Sequence, residues 1–244
     1  MITDEIKNII PIDKVYQDAL SPAMKQIGKS LESVAKTSRF LLAPFEYLAA
    51  QHTRWERYLK KVSENVKEEN LVEGHPQIVI PTIEGLSLCD EDSLLSELFI
   101  NLLANSIDST KQDLAHPAFP NIIKQLSHDE AVILYFLKKK SYKLKRQSDL
   151  NAEGTLFVKH TTLEEEFPLD KLQYPDHIWL YMNHLHSLNI AGTYKLPNPE
   201  YLWEEIPSMQ KRQIGVIEQS ERRLDEFGNL FARSCVPDEF LNIK

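Results

Sequence analysis

Residues Leu94 to Leu137 read LLSELFINLLANSIDSTKQDLAHPAFPNIIKQLSHDEAVILYFL. Leu94, Leu95, Leu98, Phe99, Leu102, Leu103 and Ile107 recur at steps of three and four, the period that lines one face of an α-helix. Asp90 to Asp92 stand just before them, and negative charge suits the start of a helix because it complements the macrodipole. A polar loop follows over 109–116, and His116-Pro117 opens a short helix carrying Phe119, Ile122, Ile123 and Leu126. Ser127 then precedes Glu130 by three residues, the spacing at which two side chains cap each other's backbone N–H groups. Val132, Ile133, Leu134, Phe136 and Leu137 carry that last helix onward. The stretch therefore predicts helices gathered about one apolar core.

Working toward the N-terminus, 55–67 predicts a helix with Trp55, Tyr58, Leu59 and Val62 on one face. Glu68 to Gln77, with Gly74 and Pro76, reads as a connector, and Pro81 to Leu88 as a short helix or turn. Ser21-Pro22 marks the start of an amphipathic helix reaching Ala50, with a kink at Pro44. Toward the C-terminus, Lys138 to Arg146 (KKKSYKLKR) is the one basic run and reads as a solvated helix end. Thr155 to Thr161 alternates like a strand, whereas Thr161 to Glu166 looks like a cap and an acidic first turn. Asp176 starts a helix through Ile178, Trp179, Met182 and Leu185. Thr193 to Leu196 and Ile214 to Glu218 are strand candidates, and Leu224 to Cys235 closes with a helix. The expected fold is mainly α. An N-terminal helical region, 1–75, precedes a helical domain, 76–244, with a small β-hairpin and a C-terminal part of winged-helix type.

Composition narrows the function. With 244 residues the chain is long enough for a substantial core. Only 7 are Gly, which disfavours a glycine-rich phosphate loop. A net charge of −8 repels phosphate backbones, so nucleic acid is disfavoured as a partner of the whole surface, although a local basic patch stays compatible with one. Cys89 and Cys235 make neither a disulfide framework nor a zinc site and point to a reducing compartment, so the expected location is the cytoplasm. MITDEIKNIIPID lacks the positive start of a signal peptide. The most apolar stretch, Phe40 to Ala50, is shorter than the ~20 residues of a membrane span.

Three blocks carry a family resemblance. VYQDALSPAMKQIGKSLESVAKT contains Pro22, Ala23, Lys25, Gly28, Lys29 and Leu31 in a Pro-Ala-x-Lys-x-x-Gly-Lys-x-Leu pattern. The middle block holds Leu102, Leu103, Ala104 and Asp108, then His116, Pro117 and Phe119, then Gln125, Leu126, Ser127, Asp129, Glu130 and Ala131. DEFGNLFARSC, Asp225 to Cys235, supplies a Gly-x-x-Phe helix ending in Cys. In order and spacing the blocks resemble the abortive infection alpha family from about residue 13 to Cys235, with 141–220 the loosest part. The resemblance implies phage resistance by abortive infection and brings no catalytic residues, metal or cofactor.

The residues themselves agree with a binding role rather than an enzymatic one. His128, Asp129 and Glu130 are consecutive on a helix, about 100° apart, so they do not converge as an acid–base or metal cluster. Asp108 and His116 bracket a loop and read as a pair that pins it. His184 and His186 are two apart, not at the three or four that holds zinc on a helix. Ala104, Asp108, His116, Pro117, Ser127, Asp129 and Glu130 are thus candidate structural or interaction positions, and Lys138, Lys139 and Lys140 candidate anion contacts. The expected partner is a host or phage protein or a second copy of the chain. Transient membrane contact through the lysine-flanked 21–50 helix stays open, and so does a winged-helix regulator that binds nucleic acid through the basic run.

Overall fold

A computed structural model describes residues 54–206 and 211–240. The helix expected over 21–50 lies outside these residues. The described chain forms two compact units. One takes the residues up to Leu126 together with Ser234–Pro237, and the other runs from Ser127 to Arg233 and resumes at Asp238.

The first unit is helical. Helix α1 covers 54–65 and buries Trp55, Tyr58, Leu59 and Val62. Helix α2, Pro76–Ser87, starts earlier than expected, because Pro76 occupies a first-turn position where a missing N–H costs nothing and His75 accepts a hydrogen bond from the Gln77 N–H. Pro81 lies inside this helix without ending it. Helix α3, Leu94–Ser106, is capped by Ser93, whose hydroxyl accepts from the Ser96 N–H at 3.1 Å. Its Leu94, Leu98, Phe99, Leu102 and Leu103 are buried, as their spacing predicts. The ring of Phe99 lies against Gly85 of α2, where a Cβ would approach to 2.3 Å. Helix α4 is the short Phe119–Ile123. Asn101 and Asn105, one turn apart on α3, donate to the carbonyls of Cys235 and Ser234 at 3.0 and 2.7 Å. That pair ties the returning segment 234–237 into the unit.

The second unit overturns the mainly helical expectation. It holds helices α5 (His128–Lys139), α6 (Ile178–Ser187) and α7 (Glu226–Cys235, whose last two residues belong to the first unit), and a five-stranded antiparallel sheet. Its strands are β1 (Tyr142–Leu150), β2 (Phe157–Glu165), β3 (Ala191–Lys195), β4 (Glu200–Glu205) and β5 (Lys211–Leu224). Strand order is β2-β1-β5-β3, with β4 also on β5. Since β1 already pairs with 215–222 of β5, β3 and β4 share its other edge end to end, separated by Pro197-Asn198-Pro199. Prolines are tolerated on such an edge because no neighbour needs their N–H. A five-stranded sheet in place of a small hairpin removes the basis for the winged-helix comparison.

The reason for the discrepancy is chemical. Tyr142–Leu150 reads YKLKRQSDL, and its inner positions Tyr142, Leu144, Arg146 and Ser148 are half polar, so the alternation is masked by charge. The basic run thus ends α5 and then becomes a strand. Thr161 to Glu165 does not start a helix but completes β2, opposite Gln147 to Leu144. Strand β2 is a sheet edge, exposed from Phe157 to Glu164.

One face of the sheet is built in cross-strand rows, because residues opposite each other in a ladder project to the same side. Tyr142, Arg222 and Thr193 form one row, Leu144, Ser220 and Lys195 the next, and Arg146 with Glu218 a third. Helix α6 packs on β3 and sets Trp179 over this face. At the other end, α7 lies so close to the chain before β3 that a Cβ on Gly228 would stand 1.7 Å from the Ile190 carbonyl oxygen.

Candidate functional site

The expected site residues prove to be occupied in holding the chain together. Ser127 accepts from the Glu130 N–H at 3.3 Å, and Glu130 Oε2 accepts from the Ser127 N–H and hydroxyl at 2.7 and 2.8 Å. Glu130 Oε1 meets His184 Nδ1 at 2.5 Å, so the same carboxylate that caps α5 also joins it to α6. Asp129, buried beside it, points elsewhere. Its two oxygens accept from the backbone N–H groups of Gln173 and Tyr174 at 2.8 and 2.9 Å. The Tyr181 phenol also bonds Asp129, and burial first and this carboxylate second push it up to about 12. The neighbouring acids thus serve different partners, Glu130 the cap and α6 and Asp129 the loop at 173–174, as their angular separation on a helix requires.

In the first unit Asp108 is buried. It accepts from the Thr110 N–H and hydroxyl at 2.9 and 2.7 Å, with Lys111 at 3.8 Å. His116 Nδ1 accepts from the Ala118 N–H at 3.1 Å, across Pro117, and its ring meets Phe119. Ala104 is buried in α3. The three lysines are also engaged. Lys138 pairs with Asp238 at 2.7 Å, Lys139 bonds the Tyr135 hydroxyl at 2.7 Å, and Lys140 lies over the Tyr142 ring. A hollow of about 470 Å³ is lined by Glu73, His75, Gln112 and Pro117 among others, but Gln112 spends its amide on the Glu73 and Ser106 carbonyls.

The second unit contains a different arrangement. A cleft of about 160 Å³ between α6 and the row-built sheet face is lined by Arg146, Trp179, Asn183, Thr193, Lys195 and Ser220, with Met182, His186 and Glu218 completing the wall. Arg146 Cζ lies 4.7 Å from the centroid of the Trp179 ring. Arg222 Cζ lies 5.5 Å from the same ring. Stacking on an aromatic face contributes about 0.5–2 kcal/mol per cation. It leaves a guanidinium's edge donors free. The Arg146 side chain makes no hydrogen bond or ion pair with any described residue, whereas Lys195 is held by Glu218 at 2.6 Å. Arg222 is fully buried and bonds Glu165 through Nη1, but its Nε and Nη2 have no partner among the described residues, nor does the buried Oγ1 of Thr193. A buried donor left unpaired costs about 1–3 kcal/mol. Because Thr193 and Arg222 are opposite each other in the β3–β5 ladder, these unmet groups cluster in one row beside the cleft.

Sequence reasoning missed this cleft. Arg146 was read as the end of a basic run and Trp179 as helix core. The signal available was the period-two run Tyr142, Leu144, Arg146, Ser148, which places an arginine on an inward face.

No curated protein and no solved structure matches the chain. The match to a known family begins at residue 50, so Pro22 to Leu31, part of the resemblance traced from residue 13, falls before it. It takes in the middle block, the Gly228 helix and the whole cleft. By that match over residues 50–235 to the family described as abortive infection alpha, the chain belongs to the abortive infection alpha family.

Proposed function

We propose that this chain defends a bacterium against phage by abortive infection, acting in the cytoplasm through non-covalent recognition rather than catalysis. The observation that carries this reading is the contrast between its two sets of polar residues. Asp108, Asp129 and Glu130, which an enzyme would need as acids or bases, accept hydrogen bonds that close loops and caps. Arg146, Thr193 and Arg222 keep unmet donors or acceptors at a cleft, an arrangement suited to holding a ligand. Family membership supplies the biological setting. Lys138, Lys139 and Lys140 of the basic run have intramolecular partners. Their engagement favours recognition at the cleft over duplex binding through the basic run.

The test is phage challenge of a host expressing the chain, with plaques and survival of infected cells scored at high phage dose. Reduced plaquing with death of infected cells is the expected result, and Arg146→Gln should restore plaquing. Unchanged plaquing across a broad phage panel would overturn the defence reading. Protection undiminished in the Arg146 variant would remove the cleft from it.

A further inference from the structure

We infer that the cleft between α6 and the β1–β5–β3 face is a binding site for a phosphoryl group. This deepens the recognition reading above by naming the ligand's chemistry, and it rests on that reading only for its biological purpose.

The argument starts from charge. Arg146, Lys195 and Arg222 face two carboxylates, Glu218 and Glu165, of which the first holds Lys195 and the second holds one nitrogen of Arg222. One positive charge is therefore left over in a chain whose net charge is −8, and it belongs to a guanidinium already oriented by Trp179. An arginine fixed in this way is arranged to bind an oxyanion through two parallel N–H groups.

Geometry then selects among oxyanions. Hydrogen-bonding side chains come from several sides: Arg146 from β1, Ser220 from β5, Thr193 and Lys195 from β3, and Asn183 and His186 from α6. A planar carboxylate offers its lone pairs in one plane. A tetrahedral phosphoryl group presents oxygens in several directions at once and accepts from all these elements. The unpartnered Oγ1 of Thr193 and the unpartnered Nε and Nη2 of Arg222 lie in the adjoining row, where such a group, directly or through a water, would meet their unsatisfied demand. About 160 Å³ is room for roughly five waters at about 30 Å³ each, enough for a phosphoryl group with a small attachment. It is well below the roughly 300 Å³ at which pockets for drug-sized molecules begin. Met182 and the Trp179 ring give that attachment an apolar wall.

The experiment is calorimetric titration of the full chain at constant ionic strength. The probes are inorganic phosphate, acetate, and a dinucleotide with and without a 5′-phosphate. Saturable one-site binding of phosphate, at least tenfold tighter than acetate, is expected. Arg146→Gln should weaken it tenfold or more and Thr193→Val severalfold, each variant first shown by circular dichroism to be folded. Joint replacement of Lys138, Lys139 and Lys140 by Gln should leave it within twofold. If the phosphorylated dinucleotide binds at least as well as phosphate while its unphosphorylated form does not, the group is recognised at a nucleotide end. If only inorganic phosphate binds, the free ion is the ligand. No saturable heat with any phosphate probe, equal affinity for acetate, or binding that survives Arg146→Gln but falls with the lysine replacement would each overturn the inference. Phosphate binding by a chain that fails to protect cells would sink the defence role and leave this site standing. Protection without phosphate binding would do the reverse.

Discussion

Gly228 and Ile190 are in backbone contact: the first residue's α-carbon faces the second's carbonyl oxygen with no space for a side chain between them, and that oxygen also accepts from the Asp225 N–H at 2.9 Å. Replacing Gly228 by Ala would force α7 away from the chain that enters β3. Overpacking against fixed backbone costs about 3 kcal/mol or more. In a chain of this size that is a fall in Tm of about 6–12 °C. A melting curve within 2 °C of the parent's would show that the helix is not held where this contact puts it.

The Ser127-x-Asp129-Glu130 motif predicts a graded pair of losses. Ser127→Ala removes one cap and should cost about 1 kcal/mol. Asp129→Ala strips two backbone N–H groups of their acceptor and should cost more, about 2–6 kcal/mol at 1–3 kcal/mol for each unpaired donor. Urea denaturation of both variants measures this. A larger loss from Ser127 than from Asp129 would contradict the roles assigned to them.

Two phenols make the fold sensitive to alkali. Burial, and then a carboxylate neighbour, push Tyr181 and Tyr194 up to about 12, the neighbours being Asp129 and Asp225. In the unfolded chain both would ionise near 10. The contribution of their neutral forms is therefore complete below pH 10 and is lost as the pH rises from 10 toward 12. Tyr194→Phe should flatten the fall in stability across that window. Absorbance titration should show Tyr181 and Tyr194 ionising last, with Tyr58 and Tyr142 also delayed by burial, and a single transition near pH 10 for all phenols would refute this.

Cys89 should be a slow nucleophile. Burial raises its thiol to about 11, and it donates to the Gly85 carbonyl. At pH 8 the thiolate that does the reacting is then scarce. Its alkylation by iodoacetamide, followed by mass spectrometry in a Cys235→Ser background, should be much slower than that of a free thiol and should rise steadily up to about pH 11. Fast modification at pH 7 would show the thiol to be open and ionised.

How far the sequence could be read depended on which face of an element was apolar. Leu98, Phe99 and Leu102 announce α3, because the buried face of that helix is mostly apolar. The Ser127–Glu130 box was equally legible, since capping is local chemistry at fixed spacing. The sheet was not. Its inner rows include Arg146, Thr193, Glu218, Ser220 and Arg222, so period two was present in the backbone but absent from the hydrophobicity. Strand β4, EYLWEE, is almost wholly exposed and gave no inward face to find. The cleft was lost for the same reason, because Arg146 belongs to a run that reads as solvated charge.

The tie between Asn105 and Ser234 has a consequence for the making of the protein. The two residues are 129 positions apart, with the second unit almost entirely between them. At roughly 5–20 residues per second, a ribosome takes about 6–26 seconds to travel from one to the other. During that interval the side-chain amides of Asn101 and Asn105 must wait on water. The cleft-bearing sheet is synthesised before the unit that was begun first can be finished. A chain truncated anywhere between leaves α3 without its last partner, so an intact first unit waits on translation through Pro237.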